Sequence, residues 1–127
     1  MAVKLNQRAF EHARELISAG HVVFDERDSW DAHQPLERDA IAFIAAHGVD
    51  AYGRWHLGVE PAFPERMRAR YKLPFGDFEN VHRCAVLSIE ARDIDGIWGA
   101  AHFLANLIET VMARDAAAGR ARSGPRR

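Results

Sequence analysis

Between Ile97 and Met112 the apolar residues Ile97, Trp98, Ala101, Leu104, Leu107, Ile108, Val111 and Met112 recur at three- and four-residue steps around much of a helix's circumference. A helix on the surface of a domain shows one apolar stripe. One this widely apolar, expected over about Asp95 to Ala113, must be covered on more than one side. It is therefore either the central element of a small domain or an element shared with a second subunit.

Two further segments carry clear helical periodicity. Leu5, Ala9, Phe10, Ala13, Leu16 and Ile17 share one stripe, with Asn6 near the start, Gly20 just past the end and Arg8, Glu11, Arg14 and Glu15 opposite. From Pro35 to His47, Leu36, Ala40, Phe43 and Ile44 stay in register, Pro35 suits a first turn, and Gly48 stands where a left-handed cap belongs. A third pattern aligns Phe78, Val81, Ala85 and Ile89 and predicts a helix over Phe78 to Arg92, with Asp77 accepting hydrogen bonds from its first-turn amides. Val49 to Phe75 reads as an irregular connector rich in Gly, Pro and aromatic residues, with short helices near Asp50 to His56 and Pro64 to Arg70. His21-Val22-Val23-Phe24 is the one strand-like run, and a single short run cannot make a sheet. The expected fold is all-α, one compact domain of four to five bundled helices.

At 127 residues, 48% hydrophobic and 28% charged, the chain has the size and balance of one soluble globular domain. It has no apolar run of the roughly 18 to 20 residues that a bilayer crossing needs and no secretion-signal pattern, so it is expected in the cytoplasm and off membranes. One cysteine precludes an intramolecular disulfide and the paired cysteines of most structural zinc sites. The domain is expected over 1–113, followed by a flexible basic tail over 114–127. That tail holds Arg114, Arg120, Arg122, Arg126 and Arg127 against Asp115, leaving the remainder of the chain at −5. Nucleic acid is an unfavoured partner for so acidic a body.

The chemistry is concentrated in Arg70 to Cys84. Arg70 and Lys72 share a side if the residues before Pro74 are extended, and with Arg83 they form a cationic group suited to a small anionic ligand. Trp55, Tyr71 and Phe75 are the expected aromatic walls of its pocket. His82, Asp77 and His56 are the acid–base candidates. On a helix, His82 and Cys84 would lie about 200° apart and could not ligate one ion. A metal centre would have to be assembled from distant residues such as His56, His82 and His102 with Asp77 or Glu109, so the sequence leaves both metal and cofactor unknown. On the last helix, Asp95, Gly99, His102, Asn106 and Glu109 form a polar stripe in which Gly99 would admit a close neighbour.

Tyr52-Gly53-Arg54-Trp55-His56-Leu57-Gly58, Arg70 to Phe78 and Val81-His82-Arg83-Cys84 resemble the shared core of a group of small bacterial proteins with no known activity. The resemblance spans Trp30 to Leu107 and implies a free-standing protein, with no reaction attached. The leading functional expectation is a small-molecule-binding protein, enzyme or binder, using His/Asp acid–base chemistry on an anionic substrate. The alternatives are an interaction protein forming a homodimer through its last helix, and a nucleic-acid-binding accessory protein.

Overall fold

The computed structural model describes residues 2–122 and shows a mixed α/β domain. The chain runs β1 (Lys4–Leu5), α1 (Gln7–Ser18), β2 (Val22–Val23), α2 (Trp30–His33), α3 (Glu37–Gly53), β3 (His56–Val59), β4 (Tyr71–Pro74), β5 (Val81–His82), α4 (Arg83–Ala91) and α5 (Trp98–Arg122). β1, β3 and β4 form an antiparallel sheet in the order β1-β3-β4, and β2 pairs in parallel with β5. These two sheets overturn the all-α helical bundle expected from the sequence. Strands of two to four residues are too short to carry an alternating pattern, and Gly58 and Pro74 inside β3 and β4 read as punctuation.

α1 begins where Asn6 accepts a hydrogen bond from the Ala9 amide, while the Asn6 side-chain amide donates to the carbonyls of Gly53 and His56. One side chain thus caps the helix and fastens it to the start of β3. α3 opens with the Leu36 amide held by the Asp39 carboxylate at 2.8 Å, and its regular part ends at Gly48, whose φ of +88° few other residues tolerate. Helical geometry resumes for one more turn through Gly53.

α5, with Ile97 just before it, buries Ala101, Leu104, Ile108 and Val111 and packs on both α1 and α4, which supply Ala9, Ala13, Ile17, Ala85 and Ile89 to the same core. Of the apolar residues over Ile97 to Met112, those five are covered within the chain, Leu107 and Met112 are partly covered, and Trp98, like Phe103 on the same helix, stays exposed. α5 continues beyond Arg114 to Arg122, and Ser123 to Arg127 of the expected flexible tail lie outside the described residues. Among the described residues no helix is long and apolar enough to cross a membrane.

The expected helix over Phe78 to Arg92 begins only at Arg83. Before it, residues 76–81 make a tight turn closed by a bridge between Gly76 and Val81 and by the Asp77 amide on the Asn80 carbonyl. Gly76 is obligatory there, because a Cβ would stand 2.5 Å from the Asn80 carbonyl oxygen and 2.6 Å from the Trp55 ring. Gly99, by contrast, has nothing within 4 Å of such an atom. Gly76→Ala is expected to destabilise the fold by about 1 to 3 kcal/mol through overpacking. Gly99→Ala should be neutral or stabilising by up to about 1 kcal/mol through helix propensity. Denaturant midpoints check this pair: lower than the parent for Gly76→Ala, unchanged or higher for Gly99→Ala.

Candidate functional site

The parallel pairing of β2 and β5 sets Val22 opposite Val81 and Val23 opposite His82. Carried two residues further, the same register sets Asp25 beside Cys84, and the Cys84 amide donates to Asp25 Oδ1 at 2.8 Å. The other carboxylate oxygen, Oδ2, faces His82 Nδ1 at 2.7 Å and His33 Nδ1 at 3.2 Å. His33 arrives on α2, a single turn that packs on α4 and whose start is steadied by the Ser29 hydroxyl donating to the Glu26 carbonyl. The Cys84 sulfur lies 3.9 Å from the same His33 nitrogen. One donor atom from each of Asp25, His33, His82 and Cys84 thus falls within 4.8 Å of the others.

The second nitrogen of His82 is held as firmly as the first. Its Nε2 lies 2.8 Å from Asp77 Oδ2, and Asp77 Oδ1 accepts from the amides of Glu79 and Asn80. Asp77 therefore caps a tight turn, where a helix cap was expected, and with its remaining oxygen fixes the plane of the imidazole. The Trp30 ring, 5.6 Å from that of His82, borders the cluster, and Arg83 ties the Asp25 carbonyl to Glu109 on α5.

Electrostatics follow from these contacts. Burial drives the Asp25 carboxyl upward, but hydrogen bonds from the Cys84 amide and from His82 outweigh it, and the group titrates below its usual range. Asp77 behaves likewise, with burial opposed by the Asn80 and Glu79 amides and by His82. Cys84 goes the other way: burial, reinforced by the Asp25 carboxylate, pushes its thiol up to about 11. A Cys–His–Asp relay fails on geometry as well. His33 turns the same nitrogen, Nδ1, toward both the sulfur and the carboxylate, whereas a relay needs the two ring nitrogens on opposite errands.

The two-residue spacing of His82 and Cys84, read as divergent on a helix, turns out to converge. His82 is extended and Cys84 lies in the first helical turn, so the 100° step per residue does not apply across the pair. The other expected site residues disperse. Trp55 and Phe75 are core residues with their rings 5.8 Å apart. The extended run expected over Arg70 to Pro74 holds only in part: Arg70 ends a 3-10 turn before β4, and Leu73, the residue before Pro74, takes a φ of +63°. Arg70 donates to the Phe63 carbonyl, Lys72 reaches Glu60 at 3.7 Å, and Arg83 turns to Glu109. Tyr71 donates its hydroxyl to the Glu65 carbonyl. His56 opens β3, buried, with Nδ1 on the Tyr52 carbonyl, and His102 pairs with Glu90 on the surface. Asp25 and His33 were not foreseen. The only trace of Asp25 in the sequence is an acid directly after the apolar run His21 to Phe24.

Burial, with the nearby Arg68 cation, lowers the His56 pKa to about 4 against a partial opposing effect from the Tyr52 carbonyl. An unfolded chain takes up this proton near 6.5, so between 6.5 and about 4 it binds more protons than the folded one. Stability from this group is complete above the upper value and is lost as pH falls through the window, by as much as ~3 kcal/mol. Urea midpoints across that range, with the His56 resonance staying neutral to the bottom of it, test this. The buried thiol of metal-free protein is expected to react with iodoacetamide at neutral pH at least ~10-fold more slowly than in denaturant, which mass spectrometry measures. Comparison of the chain with known protein families, with curated proteins and with solved structures finds no match, so the functional reading rests on this geometry.

Proposed function

We propose that the protein is a metal-binding protein whose divalent ion, zinc foremost, is held by Asp25, His33, His82 and Cys84. The convergence of two imidazole nitrogens, a carboxylate oxygen and a sulfur within 4.8 Å carries the reading. Tetrahedral zinc with bonds of 2.0 to 2.3 Å spaces its donors about 3.3 to 3.8 Å apart. The separations of 2.7, 3.2 and 3.9 Å among these residues bracket that spacing. A sulfur among nitrogen and oxygen donors favours zinc and related transition metals over magnesium or calcium. The outer shell supports the same reading. Metal-bound histidines commonly donate their second N–H to a carboxylate, as His82 is placed to do with Asp77, and Asp25 is oriented by the Cys84 amide.

Four protein donors fill a tetrahedral shell, so the ion's role in this reading is to clasp the segment bearing Asp25 and His33 onto the junction of β5 and α4. Binding takes the proton from Cys84, whose thiol is otherwise held neutral. A cytoplasmic setting, reducing enough to keep a lone thiol available, fits this chemistry. The same contacts favour the metal over acid–base catalysis on an anionic substrate. Both His82 nitrogens already face carboxylates, and Arg70, Lys72 and Arg83 each serve a different partner.

The test uses full-length protein carrying no histidine tag and purified without chelator. Elemental analysis is expected to find about one zinc per chain, and cobalt substitution should give tetrahedral visible bands with a thiolate charge-transfer band. Cys84→Ser should abolish that band, and His33→Ala, a change at a half-exposed residue, should weaken cobalt binding at least ~10-fold. Asp77→Asn should cost roughly 10- to 100-fold in affinity through the outer shell. Cobalt affinity indifferent to both Cys84→Ser and His33→Ala would refute the assignment.

A further inference from the structure

We infer that a second site, a hollow bordered by the start of α3 and by β4, binds a small neutral planar ring carrying one hydrogen-bond donor. Its cavity volume is about 110 Å³, and Pro35, Leu36, Tyr52, His56, Arg68 and Phe78 are among its walls. This inference goes beyond the metal centre and does not depend on it.

The chemistry of the ligand follows from His56. Only 4% of this residue is exposed, and its Nδ1 lies 2.9 Å from the Tyr52 carbonyl, which can only accept. Nδ1 therefore carries the proton. Because the ring stays neutral well below physiological pH, Nε2 presents a lone pair. No hydrogen bond reaches Nε2 among the described residues, and no fully enclosed side-chain polar atom lacks a partner. Nε2 is thus an acceptor with residual access, on a side chain that borders the hollow. A buried acceptor of this kind calls for an N–H or O–H from whatever enters.

The walls fix shape and charge. The Tyr52 ring lies 4.3 Å from that of His56 and 5.9 Å from that of Phe78, so the lining is aromatic. Arg68 stacks over Tyr52 at 5.4 Å, but its two amino groups are taken by the Glu37 carboxylate at 2.8 and 3.0 Å. The pair presents no uncompensated charge, which favours a neutral guest over the anion expected from the sequence. A closed cavity of about 150 Å³ accepts benzene, so this smaller hollow of about 110 Å³ takes one edge of a single six-membered ring and leaves the other edge in solvent.

Phenol and toluene separate donor recognition from simple filling, since they share a ring and differ in the donor. NMR titration of the full chain with millimolar phenol, with and without zinc, should give saturable shifts at Tyr52, His56 and Phe78. Toluene should bind about tenfold more weakly, the loss expected for one hydrogen bond. His56→Phe should erase the preference for phenol. Should that variant fail to fold, Ala40→Leu, which fills the hollow from α3, should abolish phenol binding. Equal binding of phenol and toluene, or no saturable shift at these residues, overturns the proposal and leaves Nε2 to water. Because metal loading is read separately by cobalt absorption, failure here leaves the zinc assignment standing, and the reverse also holds.

Discussion

The arrangement of this domain depends on one imidazole held between two carboxylates. His82 faces Asp25 with Nδ1 and Asp77 with Nε2, at 2.7 and 2.8 Å. Both carboxylates are held in their ionised form by their surroundings, and ionised carboxylates only accept. The two contacts can be satisfied together in two ways. Either the ring carries both protons, or it carries one on Nε2 while a cation stands in for the other at Nδ1. The second solution would also satisfy His33 and Cys84, which crowd the same side, so that under the metal reading proposed above a single ion would resolve several local conflicts at once.

Around that imidazole the fold is arranged as two supports. The tight turn of residues 76–81 supplies Asp77, and the Trp55 ring packed against Gly76 prevents it from drifting. The parallel pair of β2 and β5 supplies Asp25, which the Cys84 amide then orients. Neither support is exposed sheet or long helix. Each is a few residues of backbone whose geometry is enforced by buried neighbours, which is why the centre can be exact in placement yet small in extent.

The parts of this structure legible in the sequence are those whose physics is local. The Asn6 cap, the left-handed glycines at 20 and 48, and the stripes of α1 and α5 all depend on residues within a few positions of one another. The sheets depend on partners far along the chain, and a two-residue strand such as Val22–Val23 has no periodicity to betray it. The start of α4 was hidden because Phe78 and Val81 happen to fall in helical register with Ala85, although Phe78 takes a φ of +71° in the turn and stacks on Phe43. That misplaced start also concealed the centre, since it assigned His82 and Cys84 to opposite sides. Asp25 and His33 lie in a polar segment with Glu26, Arg27, Asp28 and Asp31, where a ligating acid looks like any solvated one.

The separation of Asp25 and His82 along the chain gives the parallel pair a kinetic meaning. These residues stand 57 positions apart in sequence, and the loop they close contains α2, α3 and the β3–β4 hairpin. Bringing the ends of such a loop together costs about 3 to 4 kcal/mol of chain entropy. Strands of two residues offer few ladder hydrogen bonds against that cost, so closure rests on the charged contacts at the far end of the pair. The hairpin, with its nearby partners, can form early, whereas the joining of β2 to β5 belongs late in folding. An ion that gathers Asp25 and His82 would then act as a folding clamp, setting the order in which the two halves of the chain come together.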